Sequence, residues 1–138
     1  MKLGSRWDKM PDGSSGAQSE RVAAIILAAG GARRLGRPKQ LLPFGRGTLL
    51  QHVLEAVLAS PVAQAVLVLG AYAEEIKATL QPFRAEARLR VVENPLWEMG
   101  LSSSLRAGLA ALEPDIAAAL IVLADQPNIT ADLIAQLL

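Results

Sequence analysis

At 138 residues, with 14 Lys and Arg against 13 Asp and Glu, the chain is nearly neutral and of a size for one domain with a real core. The absence of cysteine excludes disulfides, thiolate metal sites and cysteine nucleophiles, while the single His52 excludes a histidine metal cluster and argues against a Ser-His-Asp triad. A net charge of +1 gives no general attraction to nucleic acid or membrane, and a composition that is 51% hydrophobic but only 4% aromatic suits a helix-covered sheet better than an all-β fold.

Residues 1–20 carry charges, Gly, Ser and Pro but no apolar signal core, and read as a disordered leader ahead of a domain over 21–138. No apolar run approaches the roughly 18 to 20 residues that span a bilayer, so a soluble, cytoplasmic protein is expected. Residues 22–27 are apolar, short and β-branched, as in a strand buried on both faces. Gly30 and Gly31 are expected to let the backbone turn tightly and bring its N–H groups close to a ligand. Arg33, Arg34, Arg37 and Lys39 follow, and between Arg21 and Leu54 there is no acid at all. A polyanionic ligand is expected at this loop.

Spacing excludes two common glycine motifs. The glycines fall at Gly30, Gly31 and Gly36, which is not the dinucleotide fingerprint, and Gly36 is followed by Arg37, Pro38 and Lys39, which is not a P-loop. A merely solvated basic surface is the weaker reading, because functional residues concentrate on loops held by a rigid scaffold. A nucleic-acid patch is weaker still, with few aromatics to stack bases and one short basic loop rather than a stripe.

Further along, residues 41–45 form a short extended piece closing on a turn. Thr48 caps a helix running to about residue 58, with Leu50, Val53, Leu54, Val57 and Leu58 on one face, and Ser60-Pro61 ends it. Residues 65–69 read as a second buried strand, and Gly70 leads into a helix over 73–80 with acids in its first turn. A third strand is expected over 89–92 and a helix over 101–112 with Leu101, Leu105, Leu109 and Leu112 as its inner stripe. A fourth strand covers 117–124, and Thr130 caps a last helix. This alternation predicts an α/β fold, a mostly parallel sheet flanked by helices on both faces.

Ligands in such folds sit outside the carboxyl ends of the strands. The first strand ends at the basic glycine loop and the fourth at Asp125, which follows nine uncharged residues. A carboxylate opposite a phosphate-binding loop suits Mg²⁺, a hard cation that takes carboxylate and phosphate oxygens. The competing role for Asp125 is an Asx-turn, since Thr130 already supplies the helix cap. A third segment, Asn94 to Ser104, feeds a helix N-terminus whose three serines suit a ligand or redundant capping equally well.

The residues also carry a family resemblance. Leu27-Ala28-Ala29-Gly30, Arg34-Leu35-Gly36 and Pro38-Lys39-Gln40-Leu41-Leu42-Pro43 resemble the L-A-A-G-x-S-x-R-M-G-x-P-K signature of sugar-nucleotide-type nucleotidyltransferases. Asn94-Pro95-x-Trp97-x-x-Gly100, Ser103-Ser104-Leu105-x-x-Gly108-Leu109 and Asp125-Gln126-Pro127 are similar to the molybdenum cofactor cytidylyltransferases, within the molybdopterin-guanine dinucleotide synthase-like class. The match runs from Val22 to the end. It departs at Ala32, where the family has Ser and a phosphate-contacting hydroxyl is lost, and at Leu35, where it has Met.

The resemblance implies a Rossmann-like, GT-A-like nucleotidyltransferase fold, incomplete at its C-terminus because family members continue well beyond this length. A truncated chain is therefore expected, with an exposed apolar edge, a second metal ligand in the missing part and weak activity or none. The implied reaction transfers CMP from CTP to the phosphate of molybdenum-bound molybdopterin and releases pyrophosphate. On the matching positions, Arg34 and Lys39 would act catalytically on the phosphates and Asp125 would hold Mg²⁺. Leu27, Ala28, Ala29, Gly30, Gly31, Gly100, Ser103 and Ser104 would bind the nucleotide, with Ser104 facing the base. A client molybdoenzyme is the further partner it implies. The alternatives are a GTP-using molybdopterin guanylyltransferase, a cytidylyltransferase of a small phosphorylated alcohol or sugar, and a non-catalytic nucleotide-binding accessory protein.

Overall fold

The computed structural model describes residues 20–34 and 36–138, without the side chains of Arg33 and Arg34. Of the leader expected over 1–20, only Glu20 is among them. In chain order the elements begin with β1 (Arg21–Ala28), two short ladders formed by β2 (Arg33–Arg34) with β3 (Arg37–Pro38) and β4 (Pro43–Phe44) with β5 (Gly47–Thr48), and helix α1 (Leu49–Ala59). They continue with β6 (Gln64–Leu69), α2 (Ala73–Lys77), β7 (Leu89–Glu93), α3 (Leu101–Ala110), β8 (Ile116–Leu123) and α4 (Ala131–Leu137).

The continuous apolar runs become the centre of the sheet. β1 lies between β6 and β8, β7 extends the sheet beyond β6, and every pairing is parallel. Alternate β1 side chains enter opposite layers. Ala24, Ile26 and Ala28 pack with Leu50, Val53, Leu54 and Val57 of α1, Ile76 of α2 and Ile134 of α4. Ile25 and Leu27 face the other way, with Val66, Val68 and the Ala111 that ends α3. Helices therefore cover both faces, as the element order predicts. The chain steps from β1 to β6 to β7 and then returns to place β8 on the far side of β1, so the order reverses beside β1. That is where an open α/β sheet forms its ligand crevice.

Local signals act as read for α1. Thr48 Oγ1 accepts from the Gln51 N–H at 3.1 Å and Gln51 Oε1 accepts from the Thr48 N–H at 2.9 Å, a reciprocal capping box. α2 is shorter than its sequence suggests. It stops at Lys77, and the chain tightens into bonds from the Thr79 N–H to Ile76 and from the Leu80 N–H to Lys77, ahead of Pro82. On the sheet's edge, β8 leaves Ile121 and Leu123 each 39% exposed. No helix among the described residues is long and apolar enough to cross a membrane.

The leucine stripe expected to face inward on α3 does so only toward its C-terminal end, where half-buried Leu109 and Leu112 pack against the layer of Ile25 and Leu27. Leu101 is 64% exposed, Leu105 and Leu109 are half-buried, and the buried positions are Ser104 and Gly108, with Ala111 following. Small side chains face the sheet because the helix approaches it too closely for leucine. A Cβ on Gly108 would sit 2.5 Å from Ile25 Cγ2 and 3.3 Å from Val68 Cγ2. Gly108→Ala should gain about 1 kcal/mol of helix propensity but lose about 1–3 kcal/mol to overpacking, so a net destabilisation is expected in urea unfolding, larger for Gly108→Val. A stabilised Gly108→Ala variant would show that the contact yields.

Candidate functional site

The carboxyl ends of β1, β7 and β8 enclose a cleft of about 450 Å³. β1 and its following loop contribute Leu27, Ala29, Gly30, Gly31 and Ala32; the turn after β3 contributes Lys39 and Gln40. Trp97, Glu98 and Gly100 come from the connection between β7 and α3, Leu101 and Ser104 from the start of α3, and Leu123 and Asp125 from β8 and its end. Of the residues expected at a site, this brings together Leu27, Ala29, Gly30, Gly31, Lys39, Gly100, Ser104 and Asp125. Ala28 and Ser103 do not line it. Ala28 is 1% exposed with its side chain in the opposite layer, because neighbouring strand residues point to opposite faces. The Arg34 side chain lies outside the described residues.

The glycine loop differs from its sequence reading in what each glycine does. Neither Gly30 nor Gly31 has the positive φ that only glycine adopts readily; that falls on Gly36, at +79°, between the paired β2 and β3. Gly31 is glycine because of packing. A Cβ there would meet the Trp97 ring at 2.9 Å, and the Gly31 carbonyl accepts from the Tyr72 hydroxyl. Gly70 supports the same contact from below, since its Cβ would sit 2.6 Å from the Ala29 carbonyl oxygen and 2.7 Å from Trp97 Cβ. Gly30 has open space, with nothing within 4 Å of where a Cβ would project. The loop is thus clamped at Gly31 and bare at Gly30.

Two opposite charges face the cleft uncommitted. Lys39 and Asp125 are both exposed, and neither side chain has a hydrogen bond or ion pair among the described residues. Asp125 therefore does not make the Asx-turn considered above. α4 is capped by Thr130, whose Oγ1 accepts from the Leu133 N–H at 3.1 Å. The segment carrying Asp125 is held independently, by the Ala124 N–H donating to the Leu27 carbonyl at 3.1 Å and by His52 Nε2 at 2.9 Å from the Pro127 carbonyl. A carbonyl can only accept, so His52 carries its proton on Nε2.

Sequence reasoning gave no site role to several side chains of the cleft, among them Trp97, Gln40 and Glu98. Trp97 was quoted only within a motif. Gln40 is 8% exposed; its Nε2 donates to the Ala28 carbonyl at 3.4 Å, and its Oε1 has no partner among the described residues. On the far wall, buried Asn94 links the end of β7 to α3. Its Oδ1 accepts from the Leu96 N–H and its Nδ2 donates to Ser103 Oγ and Ser104 Oγ, at 2.9, 2.9 and 3.0 Å. Ser103 is occupied by the turn itself, with the Leu96 and Gly100 carbonyls at 2.8 and 2.7 Å.

For a metal, the protein offers carboxylates from Asp125 and Glu98 at the cleft, and no cluster of three His, Cys, Asp or Glu that could hold an ion occurs among the described residues. One or two carboxylates with the balance from a ligand's phosphates is a donor set that fits Mg²⁺.

Residues 24–138 match the MobA-like NTP transferase domain. The chain belongs to this family. Among curated relatives it is 38% identical over 120 residues to the nicotine blue oxidoreductase of Paenarthrobacter nicotinovorans, covering 85% of this chain and 55% of that protein. It is 26% identical over 112 residues to the molybdenum cofactor cytidylyltransferase of Escherichia coli, covering 81% and 55%. The chain thus spans about half the length of these two relatives. Among solved structures it resembles Rv0371c from Mycobacterium tuberculosis, with a TM-score of 0.74 at 30% identity, covering 87% of this chain and 59% of that one. A structure of Rv0371c in complex with manganese superposes with a TM-score of 0.68 at 28% identity, with the same coverage. The MobA-like assignment agrees with the doubly covered parallel sheet.

Proposed function

We propose that this chain carries the nucleotide-binding half of a metal-dependent nucleotidyltransferase, transferring CMP from CTP to the phosphate of molybdenum-bound molybdopterin. The observation that carries the reading is the uncommitted Lys39 ammonium and Asp125 carboxylate in one cleft beside the bare backbone at Gly30. An acceptor phosphate oxygen forms a bond to the α-phosphorus, the bond from that phosphorus to the bridging oxygen breaks, and its electron pair leaves on pyrophosphate. An ionised acceptor phosphate needs no protein nucleophile, so catalysis rests on positioning and charge neutralisation. Lys39, with Arg34 by resemblance, stabilises negative charge on the transferred and leaving phosphates. Mg²⁺ held by Asp125 supplies further charge neutralisation across the phosphates when bound. Leu27, Ala29, Gly30, Gly31, Gly100 and Ser104 form the walls against nucleoside and phosphates. The molybdopterin acceptor, and a client molybdoenzyme beyond it, rest on the motif resemblance and on the Escherichia coli relative.

A second reading is favoured by one observation: the relative named an oxidoreductase is the more similar of the two, at 38% against 26%. Against it stands the absence of the dinucleotide fingerprint from the glycine loop that follows β1. Calorimetric titration with CTP, GTP and NADH, each with and without Mg²⁺, separates the cases. CTP is expected to bind best and to need the metal. Preferential GTP binding would replace cytosine with guanine, and binding of NADH but neither triphosphate would sink nucleotidyl transfer. With molybdopterin present, mass spectrometry of the product identifies the transferred nucleotide.

A further inference from the structure

The side-chain amide of Asn94 has a single orientation that satisfies its surroundings. The Leu96 N–H can only donate, so the amide atom 2.9 Å from it is the oxygen and the nitrogen faces the two serines. Both amide hydrogens are thereby assigned, one to Ser103 Oγ at 2.9 Å and one to Ser104 Oγ at 3.0 Å. A hydroxyl accepting from the amide turns its own proton elsewhere. For Ser103 the proton goes to the Leu96 or Gly100 carbonyl. For Ser104 no hydrogen-bonded acceptor stands among the described residues, although the residue is only 3% exposed and lines the cleft. A buried donor without an acceptor is unfavourable until a ligand atom takes it.

We propose that Asn94 is a positioning residue that fixes Ser104 as a hydrogen-bond donor into the cleft, so that the cleft selects a ligand presenting a carbonyl oxygen or an unprotonated ring nitrogen at that wall. Asn94 does not line the cleft itself. It is 4% exposed, and its backbone N–H is tied to the Leu69 carbonyl at 2.7 Å, so it acts through Ser104. A ligand edge carrying N–H at the same place meets donor with donor and is rejected. Identifying the ligand edge with a nucleobase rests on the function proposed above; the hydrogen-bond polarity does not.

Asn94→Asp tests this with almost no change in shape. The new carboxylate accepts the Ser104 proton and leaves a lone pair toward the cleft, reversing its polarity. In the ligand-free protein, NMR of the Asn94 side-chain amide should show slow solvent exchange of both protons. Ser104→Ala should speed the exchange of one of them and leave the other in place. An amide unmoved by Ser104→Ala overturns the proposal before any ligand is added. With CTP and Mg²⁺, Ser104→Ala and Asn94→Asp are each expected to weaken binding about tenfold, and the double variant to be within about twofold of Ser104→Ala alone. If Asn94→Asp weakens binding as much again in the Ser104→Ala background, Asn94 is a general scaffold and the proposal fails. Absence of any triphosphate binding by the unmodified chain would instead retire the proposed function, and the amide measurement alone would then decide the role of Asn94.

Discussion

In a complete enzyme, replacing Lys39 with alanine is expected to lower nucleotidyl transfer by roughly 10²–10³-fold, the loss seen when one preorganised donor to a developing anion is removed. Its stability should stay within about ±0.5 kcal/mol, since the side chain is exposed and makes no contact that folding depends on. Asp125→Asn should cost turnover on the same scale for a different reason, and the two are separable. Asp125→Asn removes a hard anionic ligand, so the Mg²⁺ concentration needed for half-maximal CTP binding should rise, whereas Lys39→Ala weakens triphosphate binding at every metal concentration. Its fold should survive as well, because the segment bearing Asp125 is held by Ala124 to Leu27 and by His52 to Pro127, not by the carboxylate. Turnover near that of the unmodified protein in either variant removes that residue from the site. An unchanged metal requirement in Asp125→Asn removes it from the metal.

The strands were legible because burial on both faces writes itself as an unbroken apolar run. The runs expected at 22–27 and 65–69 appear as β1 and β6, each within a residue or two at its ends. The same alternation led to the expectation that the loop after β1 and Asp125 would meet at the carboxyl edge of the sheet, whereas the strand order that reverses beside β1 was not legible in it. The inner face of α3 was legible only in part, at Leu109 and Leu112. Leucines at 101, 105, 109 and 112 have helical spacing and carry the hydrophobic signal, yet none of them is fully buried, and the buried row is Ser104, Gly108 and Ala111. Close approach is decided by the space left between backbones, and small residues that use such space add nothing to a hydrophobic pattern. Trp97 was hidden for a related reason. Its role is shape, a ring laid on Gly31 and a Cβ set against Gly70, and no spacing rule links residues so far apart in the chain. The pairing of β2 with β3 was equally silent, since two residues per strand carry no period to read.

That difference between glycines gives the second large effect, on stability. Gly70→Val is expected to destabilise the protein by about 3 kcal/mol or more, at the upper end of overpacking costs. The Cβ of any replacement would fall 2.6 Å from the Ala29 carbonyl oxygen, 2.7 Å from Trp97 Cβ and 2.9 Å from Ala29 Cβ. None of these is the free end of a flexible side chain. Backbone must move, and the atom that moves first is the carbonyl that accepts from the Ala71 N–H at 3.3 Å. The Trp97 ring would be pushed away from Gly31, so the loop that meets the ligand should loosen along with the core. Gly30→Ala is the matched contrast. With open space around it and no positive φ, it should leave stability within about ±0.5 kcal/mol. If Gly30 is bare because phosphate or ribose lies against its backbone, the same methyl group should weaken CTP binding by tenfold or more, about 1.4 kcal/mol. Urea unfolding and calorimetric CTP titration read the two effects independently. A Gly70→Val variant as stable as the parent would refute the clamp, and a Gly30→Ala variant with undiminished affinity would move the ligand off that stretch of backbone.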